Sequence, residues 1–149
     1  MELKELYQEI ILDHGKNPRN FGKCKNFTSD ARGHNPLCGD KVHIYAELDS
    51  DKKILDISFE GEGCAISLAS ASILTDILKG RDFQVAKNIT DNFLNLIKEN
   101  KLITVNSLDE NQKTTLMSLS GVKDFPMRVK CATMAWHTLS SVLEKKNEN

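Results

Sequence analysis

The sequence predicts an α+β fold, in which a small antiparallel sheet of about three strands is packed by helices. Two neighbouring segments, residues 42–48 and 55–60, alternate apolar and polar side chains, as strands with one buried face do. Residues 49–52 between them are turn-like, so the two segments form a hairpin. From residue 66 onward the apolar residues recur at helical spacing, and a sheet followed by helices is typical of the α+β class.

The chain ahead of the hairpin predicts one helix and one irregular region. The helix ends at Gly15, and Pro18 follows as a stop signal. Residues 16–40 are rich in Asn, Gly and Pro, which indicates irregular structure with a short strand near residues 27–32. The apolar stripe of the helix consists of Leu3, Leu6, Tyr7, Ile10 and Ile11.

The chain after the hairpin predicts several helices. One apolar face runs through residues 66–77, and residues 82–99 indicate one or two further helices. Ser107 and Glu110 form a capping-box pattern at the start of another helix, and Pro126 suits the first turn of the last one. The last helix carries one apolar stripe, which consists of Val129, Ala132, Trp136 and Leu143.

Composition and charge exclude several classes of function. A length of 149 residues fits a single domain, residues 1–149. The 20 basic and 21 acidic residues nearly cancel, whereas a protein that binds nucleic acid by neutralising phosphates should be basic. No apolar run is long enough to span a membrane, and the N-terminal residues lack the apolar block of a signal peptide. We therefore expect a cytoplasmic protein that binds neither nucleic acid nor membranes.

The cysteines are distributed singly along the chain. No Cys-x-x-Cys pair occurs, which disfavours both a thioredoxin-type redox centre and a zinc-ribbon site. Without an export signal, a disulfide framework is not expected. Lone thiols are most often inert and buried, and that interpretation stays open for each of them. They are Cys24, Cys38, Cys64 and Cys131.

Three of these cysteines fall at boundaries between predicted elements. Cys38 lies in the loop before the first hairpin strand, and Asp40 follows two residues further on. Cys64 directly precedes a helix, whose N-terminus favours the thiolate over the thiol. Cys131 lies near the first turns of the last helix. Isolated apolar cysteines have no need of such positions, so we consider a shared site.

A shared site would combine three thiolates with one carboxylate. Sulfur ligands select zinc, copper(I) or iron–sulfur clusters over magnesium or calcium, and zinc accepts a tetrahedral set of Cys and Asp. Arg128, Lys130 or Lys41 would partly offset the negative charge of these ligands. The spacing of the cysteines matches no local metal motif, so from these residues alone the shared site and the inert thiols both remain open.

Each of the three cysteines lies in a distinctive local string. These strings are Asn-Pro-Leu-Cys-Gly-Asp at residues 35–40, Gly-Glu-Gly-Cys-Ala-Ile-Ser at 61–67 and Arg-Val-Lys-Cys-Ala-Thr-Met-Ala-Trp at 128–136. Near the N-terminus, Asp13-His14 precedes Asn17-Pro18-Arg19-Asn20. Together the strings resemble the signature motifs of the U-type iron–sulfur assembly proteins, the family of IscU, SufU and the N-terminal part of NifU.

Two further features resemble the SufU branch of that family, which occurs especially in Gram-positive bacteria. The segment between Cys64 and Cys131 is longer than in IscU-type members, which implies a helical insertion within about residues 90–125 of the single domain. Lys130 stands directly before the last cysteine, where IscU-type scaffolds have a histidine. The resemblance implies a SufU/IscU-like fold.

The resemblance to SufU implies a zinc-dependent sulfur acceptor in iron–sulfur cluster biogenesis. The partner would be a pyridoxal-phosphate cysteine desulfurase of the SufS type, whose persulfide passes its terminal sulfur to Cys38. The sulfur would then go to a downstream iron–sulfur assembly scaffold. Arg128 and Lys130 would lie next to the site. The zinc ligands implied by the resemblance are Cys38, Asp40, Cys64 and Cys131.

Two other functions fit the same thiolates. The protein could be a scaffold on which Fe²⁺ and sulfide are assembled into a [2Fe–2S] cluster for transfer. It could also be a binding module whose zinc only stabilises the fold. A stand-alone hydrolase would require a histidine beside its nucleophile, and no motif pairs one with Cys38. We expect a sulfurtransferase-like acceptor that stimulates a desulfurase, and neither a hydrolase nor an oxidoreductase.

The remaining candidate residues are expected to be structural or exposed. Cys24 lies outside all three strings, and His14 is expected to cap or pack against the end of the first helix. Trp136 belongs to the predicted core. His34 lies four residues before Cys38 and could approach the site, but a surface position in the loop is expected. His43 is expected to be exposed on its strand, and His137 to lie on the opposite side of the last helix from Cys131, without a ligand role.

Overall fold

The computed structural model describes residues 2–144, and the predicted α+β class is confirmed. Within that range, three antiparallel strands form one sheet in the order β1-β2-β3, accompanied by α-helices and one short 3-10 helix. The elements in chain order are α1 (Leu3–Lys16), β1 (Ser29–Asn35), β2 (Asp40–Leu48), β3 (Ile54–Glu62), α2 (Ala65–Leu78), α3 (Phe83–Glu99), α4 (Glu110–Leu119), the 3-10 helix (Ser120–Asp124) and α5 (Pro126–Glu144).

The sheet buries the face that its alternating pattern predicts. Val42, Ile44 and Ala46 of β2 are buried, and the antiparallel register places Ile44 opposite Phe59 and Ala46 opposite Ile57. Helices α2 and α5 pack against the sheet. Because side chains alternate between the two faces of a strand, every second residue of β2 faces the helices in this register.

Trp136 joins three helices in the core, as the sequence predicts. It is fully buried in α5, and its ring centroid lies 4.5 Å from that of Phe93 in α3. Its indole N–H donates a 3.0 Å hydrogen bond to the hydroxyl of Ser70 in α2. The side chain therefore satisfies its one polar atom while its apolar surface leaves water.

The start of α4 differs from the predicted capping box. Asp109, and not Ser107, is the N-cap, and its carboxylate accepts a 2.7 Å hydrogen bond from the backbone N–H of Gln112. The Gln112 side-chain oxygen accepts in return from the backbone N–H of Asp109 at 3.1 Å. Leu108 is buried, so the chain must pass through the core before the helix begins.

Three other boundaries differ slightly from the predictions. The first strand runs over Ser29–Asn35, later than predicted, because it pairs with β2 along its whole length. Residues 82–99 form one helix, which ends where Asn100 adopts a left-handed conformation with φ of 56°. The first helix extends one residue beyond Gly15 to Lys16.

The segment predicted to contain the insertion, residues 90–125, holds the second part of α3, all of α4 and the 3-10 helix. Helix α4 packs against α1, and α3 packs against α5. None of the helices in the described range is long and apolar enough to cross a membrane.

Candidate metal centre

Cys38 and Asp40 lie on a tight turn between β1 and β2. The backbone N–H of Cys38 donates a 3.2 Å hydrogen bond to the carbonyl of Asn35, and Gly39 takes a positive φ of 70° that favours glycine. Cys38 is exposed at the tip of this turn, whereas Asp40, the first residue of β2, is fully buried. The turn therefore presents an exposed thiol next to a buried carboxylate.

Cys64 is the N-cap of α2 and contacts Asp40 twice. The backbone N–H of Cys64 donates a 2.8 Å hydrogen bond to Asp40 Oδ1, and the Cys64 Sγ lies 3.6 Å from Asp40 Oδ2. Cys64 Sγ also accepts from the backbone N–H of Ser67 at 3.4 Å. The thiol thus occupies the end of the helix that favours negative charge.

Gly63 provides the space that Asp40 needs. Its φ is 136°, and a Cβ at this position would lie 2.1 Å from Asp40 Oδ1 and 2.8 Å from Asp40 Cα. A side chain at residue 63 is therefore excluded by both the backbone conformation and the carboxylate.

Cys131 completes the group from the second turn of α5. Its Sγ lies 3.6 Å from the Cys38 Sγ. One ligand atom from each of Cys38, Asp40 and Cys131 lies within 4.8 Å of the others, the one such group within the described part of the chain. Cys64 adjoins the group through Asp40, so the structure brings all four predicted ligands together from three separate elements and a turn.

The electrostatics of the group resist the ionisation of the Cys131 thiol. Burial raises the pKa of Cys131, and side-chain contacts with Asp40, Cys64 and Cys38 raise it further. A buried acid surrounded by other acids keeps its proton because burial and its acidic neighbours both disfavour its anion. A divalent cation among these donors would reverse that preference, since it stabilises thiolate over thiol.

Comparison with known proteins identifies the family of this chain. A family described as the NifU-like N terminal domain matches residues 6–132. The zinc-dependent sulfurtransferase SufU of Bacillus subtilis (strain 168) is 38% identical over 144 residues, which cover 97% of this chain and 93% of that protein. The chain belongs to the NifU-like N-terminal domain family.

Other members and neighbours agree with this assignment. The iron-sulfur cluster assembly scaffold protein IscU of Streptococcus pyogenes serotype M1 is 33% identical over 144 residues, covering 97% of this chain and 86% of that protein. The crystal structure of FiSufU from Fervidobacterium islandicum AW-1 superposes with a TM-score of 0.79 at 36% identity, covering 94% of this chain and 98% of that one. The predicted resemblance to SufU-type members is confirmed.

Arg128 lies beside the site of this NifU-like domain. Its guanidinium carbon is 4.6 Å from the centroid of the Phe125 ring, and it hydrogen-bonds to Tyr7 of α1. Burial raises the pKa of Tyr7 although Arg128 opposes the shift, and the nearby Cys64 and Cys131 also raise it. The sequence identified Arg128 as a neighbour of the site but gave Tyr7 no role there, although Tyr7 lies on the apolar stripe of α1 and in the string Leu6-Tyr7-x-x-Ile10, which also resembles the family.

The two lysines considered near the site are both exposed. Lys130 precedes Cys131 and lines a shallow cleft together with His34 and His137. Lys41 has its ammonium 4.0 Å from the Glu62 carboxylate, with both side chains largely in solvent. Lys130 is therefore next to Cys131 in sequence, but no cysteine lines its cleft.

The other predicted structural residues lie apart from the cysteine group. Cys24 is buried, and its thiol donates to Asp56 at 3.4 Å. His14 is buried, with its Nδ1 2.7 Å from the Ser72 hydroxyl, and burial lowers the pKa of its imidazole. Both residues thus contribute to the fold, as the sequence indicates for His14.

His43 differs from its prediction as an exposed strand residue. It is half-buried, because its ring stacks on Tyr45 with centroids 4.0 Å apart. Its Nε2 lies 2.6 Å from the Asp30 carboxylate, and its Nδ1 accepts from Arg32 Nε at 3.3 Å. His43 points away from the helical side, and its cover comes from Tyr45 in β2 and from Asp30 and Arg32 in β1.

Proposed function

We propose that this protein is an iron–sulfur cluster assembly protein that accepts sulfur on Cys38 at a zinc site. The observation that carries the proposal is the convergence of three thiols and one fully buried carboxylate from distant parts of the chain. The proposed zinc ligands are Cys38, Asp40, Cys64 and Cys131. The relative in Bacillus subtilis named as a zinc-dependent sulfurtransferase supports the choice of metal and chemistry.

The donor set suits zinc on chemical grounds. Thiolates favour soft or borderline metals, and one carboxylate completes a tetrahedral set that zinc accepts. Asp40 is fully buried, and a buried carboxylate is costly unless hydrogen bonds or a cation satisfy it. When bound, zinc would keep the cysteines deprotonated at neutral pH and mute their reactivity until one of them leaves it.

Cys38 is the ligand best placed to react. It is exposed on a turn, whereas Cys131 is buried within α5 and Cys64 is tied to the first turn of α2. Release of Cys38 therefore disturbs neither helix. Its loop conformation also allows the sulfur to approach an external donor, which the buried thiol cannot do.

The proposed transfer is a thiol-exchange step without net redox change. The Cys38 thiolate attacks the terminal sulfur of the persulfide on a cysteine desulfurase. The sulfur–sulfur bond of that persulfide breaks, a new one forms at Cys38, and the cysteine thiolate of the desulfurase leaves. A downstream iron–sulfur assembly scaffold then takes the sulfur from Cys38.

The surroundings of the site suit a protein partner in a reducing compartment. Leu37, next to Cys38, is 65% exposed, and Phe125 and Met127 are exposed on the segment leading to Cys131. Exposed apolar side chains grouped around a site indicate a contact surface. The site needs free thiols, which the cytoplasm maintains, and we therefore propose a cytoplasmic protein.

A second candidate is a scaffold that assembles a [2Fe–2S] cluster on the same cysteines. The relative in Streptococcus pyogenes named as an IscU scaffold favours it. The two functions differ in the metal they retain. Protein purified without oxygen should contain stoichiometric zinc that resists replacement by iron if it is an acceptor, and a brown, visible-absorbing cluster if it is a scaffold.

The test of sulfur acceptance uses a cognate desulfurase with and without this protein. Wild-type protein should stimulate sulfide release, whereas Cys38→Ala should abolish the stimulation at full partner occupancy. Cys24→Ala is the matched control, because Cys24 is a free thiol outside the site, and it should stimulate like wild type. Unchanged stimulation by Cys38→Ala would remove the acceptor role and leave a zinc that only stabilises the fold.

A further inference from the structure

The cleft between β1 and α5 gathers hydrogen-bond donors and has no acidic side chain in its lining. Its volume is about 390 Å³, which is sufficient for a small ligand. The chain as a whole carries 20 basic and 21 acidic residues, so a lining without Asp or Glu differs from the average composition of the protein. The residues of the cleft that carry donors are His34, Asn35, Lys130 and His137.

The cleft is formed by one face of α5 and by a glycine in β1. Lys130 and His137 are seven residues apart, about two helical turns, so they lie on the same face of α5. Gly33 of β1 faces this helix, and a Cβ at residue 33 would lie 2.2 Å from Thr138 Oγ1 and 3.2 Å from Met134 Cγ. The strand therefore approaches the helix closely here, which brings the two residues after Gly33 to the cleft.

The donors of the cleft lack partners within the described part of the chain. There, the side chains of Lys130, His34 and His137 form no ion pair and no hydrogen bond. Asn35 is only 7% exposed, and its Nδ2 has no partner in the same range. Its Oδ1 accepts from the backbone N–H of Leu37 at 3.3 Å, which fixes the orientation of the amide. Because buried polar groups are nearly always hydrogen-bonded, this donor indicates an acceptor that comes from outside the chain.

We propose that this cleft binds a small oxyanion such as phosphate or sulfate. The ammonium of Lys130 supplies the opposite charge, and hydrogen bonds between charged groups are the strong ones. The imidazole N–H groups of His34 and His137 and the side-chain amide of Asn35 supply further donors to the oxygens. The cleft has no carboxylate that would repel the anion.

The oxyanion site is separate from the metal centre. Asp40 is the cross-strand neighbour of Asn35, but its carboxylate contacts Cys64 and does not line the cleft. No cysteine lines the cleft either. The inference therefore goes beyond the proposed function and requires neither zinc nor sulfur transfer.

Titration of the ¹⁵N-labelled protein with inorganic phosphate, followed by NMR at constant pH and ionic strength, tests the site. Saturable shifts are expected at the side-chain amide of Asn35 and at the imidazoles of His34 and His137. Lys130→Gln should raise the Kd for phosphate by about tenfold, because a charged hydrogen-bond donor is lost. Lys41→Gln is the matched control, since Lys41 is an exposed lysine outside the cleft, and it should bind phosphate like wild type.

The outcomes of this titration are distinguishable. Lys130 is exposed and unpartnered, so Lys130→Gln should keep the wild-type backbone spectrum. Shifts that do not saturate, or wild-type affinity in Lys130→Gln, would overturn the inference. Shifts confined to the residues around Cys38, Cys64 and Cys131 would place the phosphate on a metal ion and would also overturn it. Each of these failures leaves the proposed sulfur-acceptor function standing, because that function is tested by desulfurase stimulation.

Discussion

Two contacts between a cysteine and an aspartate in the described residues, one in the metal centre and one outside it, have different surroundings. Cys24 donates to Asp56 Oδ2 at 3.4 Å, and Cys64 lies 3.6 Å from Asp40 Oδ2. The separations are nearly equal. The contact alone therefore cannot distinguish a metal centre from a packing arrangement.

The charges around the two carboxylates differ. Lys79 places its ammonium 3.3 Å from Asp56 Oδ1. Burial disfavours the anion of Asp56, but hydrogen bonds from Cys24 and Lys79 outweigh it and lower the pKa of this carboxyl. Asp40 instead faces the thiols of the metal centre, and its contacts raise the pKa of Cys131. Asp56 already has its counter-ion, whereas Asp40 is surrounded by acids that a cation would stabilise.

The comparison shows what identifies a soft-metal site. Cys24 and Asp56 supply two donors, and a neighbouring lysine neutralises the carboxylate. The metal centre gathers four donors from β2, the N-cap of α2, α5 and a turn, and these donors contact one another. Convergence of several elements is therefore more informative than any single distance between a thiol and a carboxylate.

The largest expected difference concerns zinc content. Asp40→Ala removes a ligand and the acceptor of the Cys64 N–H, and should lower zinc affinity by more than about 100-fold, the upper end of the effect of an outer partner alone. Asp56→Ala should retain stoichiometric zinc. Metal analysis of both variants after dialysis checks this. Equal losses of zinc in the two variants would mean that Asp40 and Asp56 contribute equally to metal binding.

A smaller effect is expected from the glycine that gives Asp40 its space. Gly63→Ala combines an unfavourable φ with a collision against Asp40, and should lower the free energy of unfolding by about 3 kcal/mol as well as zinc affinity. Gly80→Ala is the control, because Gly80 has a φ of 83° but nothing within 4 Å of an added Cβ. It should cost about 1 kcal/mol and leave zinc binding intact.

Urea denaturation at neutral pH measures both glycine variants. A similar loss of stability in the two would show that the backbone conformation, and not the contact with Asp40, dominates at residue 63.

The smallest expected effect is a pH dependence that belongs to Cys24. Burial, followed by the hydrogen bond to Asp56, raises the pKa of Cys24 above its ordinary value of 9.0. In the unfolded chain Cys24 therefore releases its proton at a lower pH than in the folded protein. The protonated thiol contributes its full stabilisation below the unfolded-state pKa, and this stabilisation is lost as the pH rises through the folded-state pKa. The wild type should lose more stability than Cys24→Ala between about pH 8 and about pH 10 in urea denaturation. Parallel losses would assign the alkaline effect to other groups.

Much of the fold and the site could be predicted because local patterns determine them. The alternation in residues 42–48 and 55–60 gives the hairpin and its buried face, and the strings around Cys38, Cys64 and Cys131 give the site. The same alternation could not place His43, because its cover comes from Tyr45 two residues along the same strand and from Arg32 on the neighbouring strand.

The features that the sequence did not predict depend on three-dimensional neighbours. Ser107 and Asp109 are both good N-caps, and the burial of Leu108 decides between them. Asn35 appears only as part of a motif, because its unpaired amide becomes visible once the register with Asp40 is known. The same holds for Tyr7, whose contact with Arg128 joins two ends of the chain.

Cys64 is the residue directly before α2, so metal binding at Cys64 is coupled to the packing of this helix. Helix α2 packs against both α1 and α5, so loosening of that layer also displaces a donor atom. A metal ion that binds only the folded state stabilises that state. The melting temperature should therefore rise with the logarithm of the free zinc concentration. A simple thermal scan across a zinc titration therefore doubles as a binding assay.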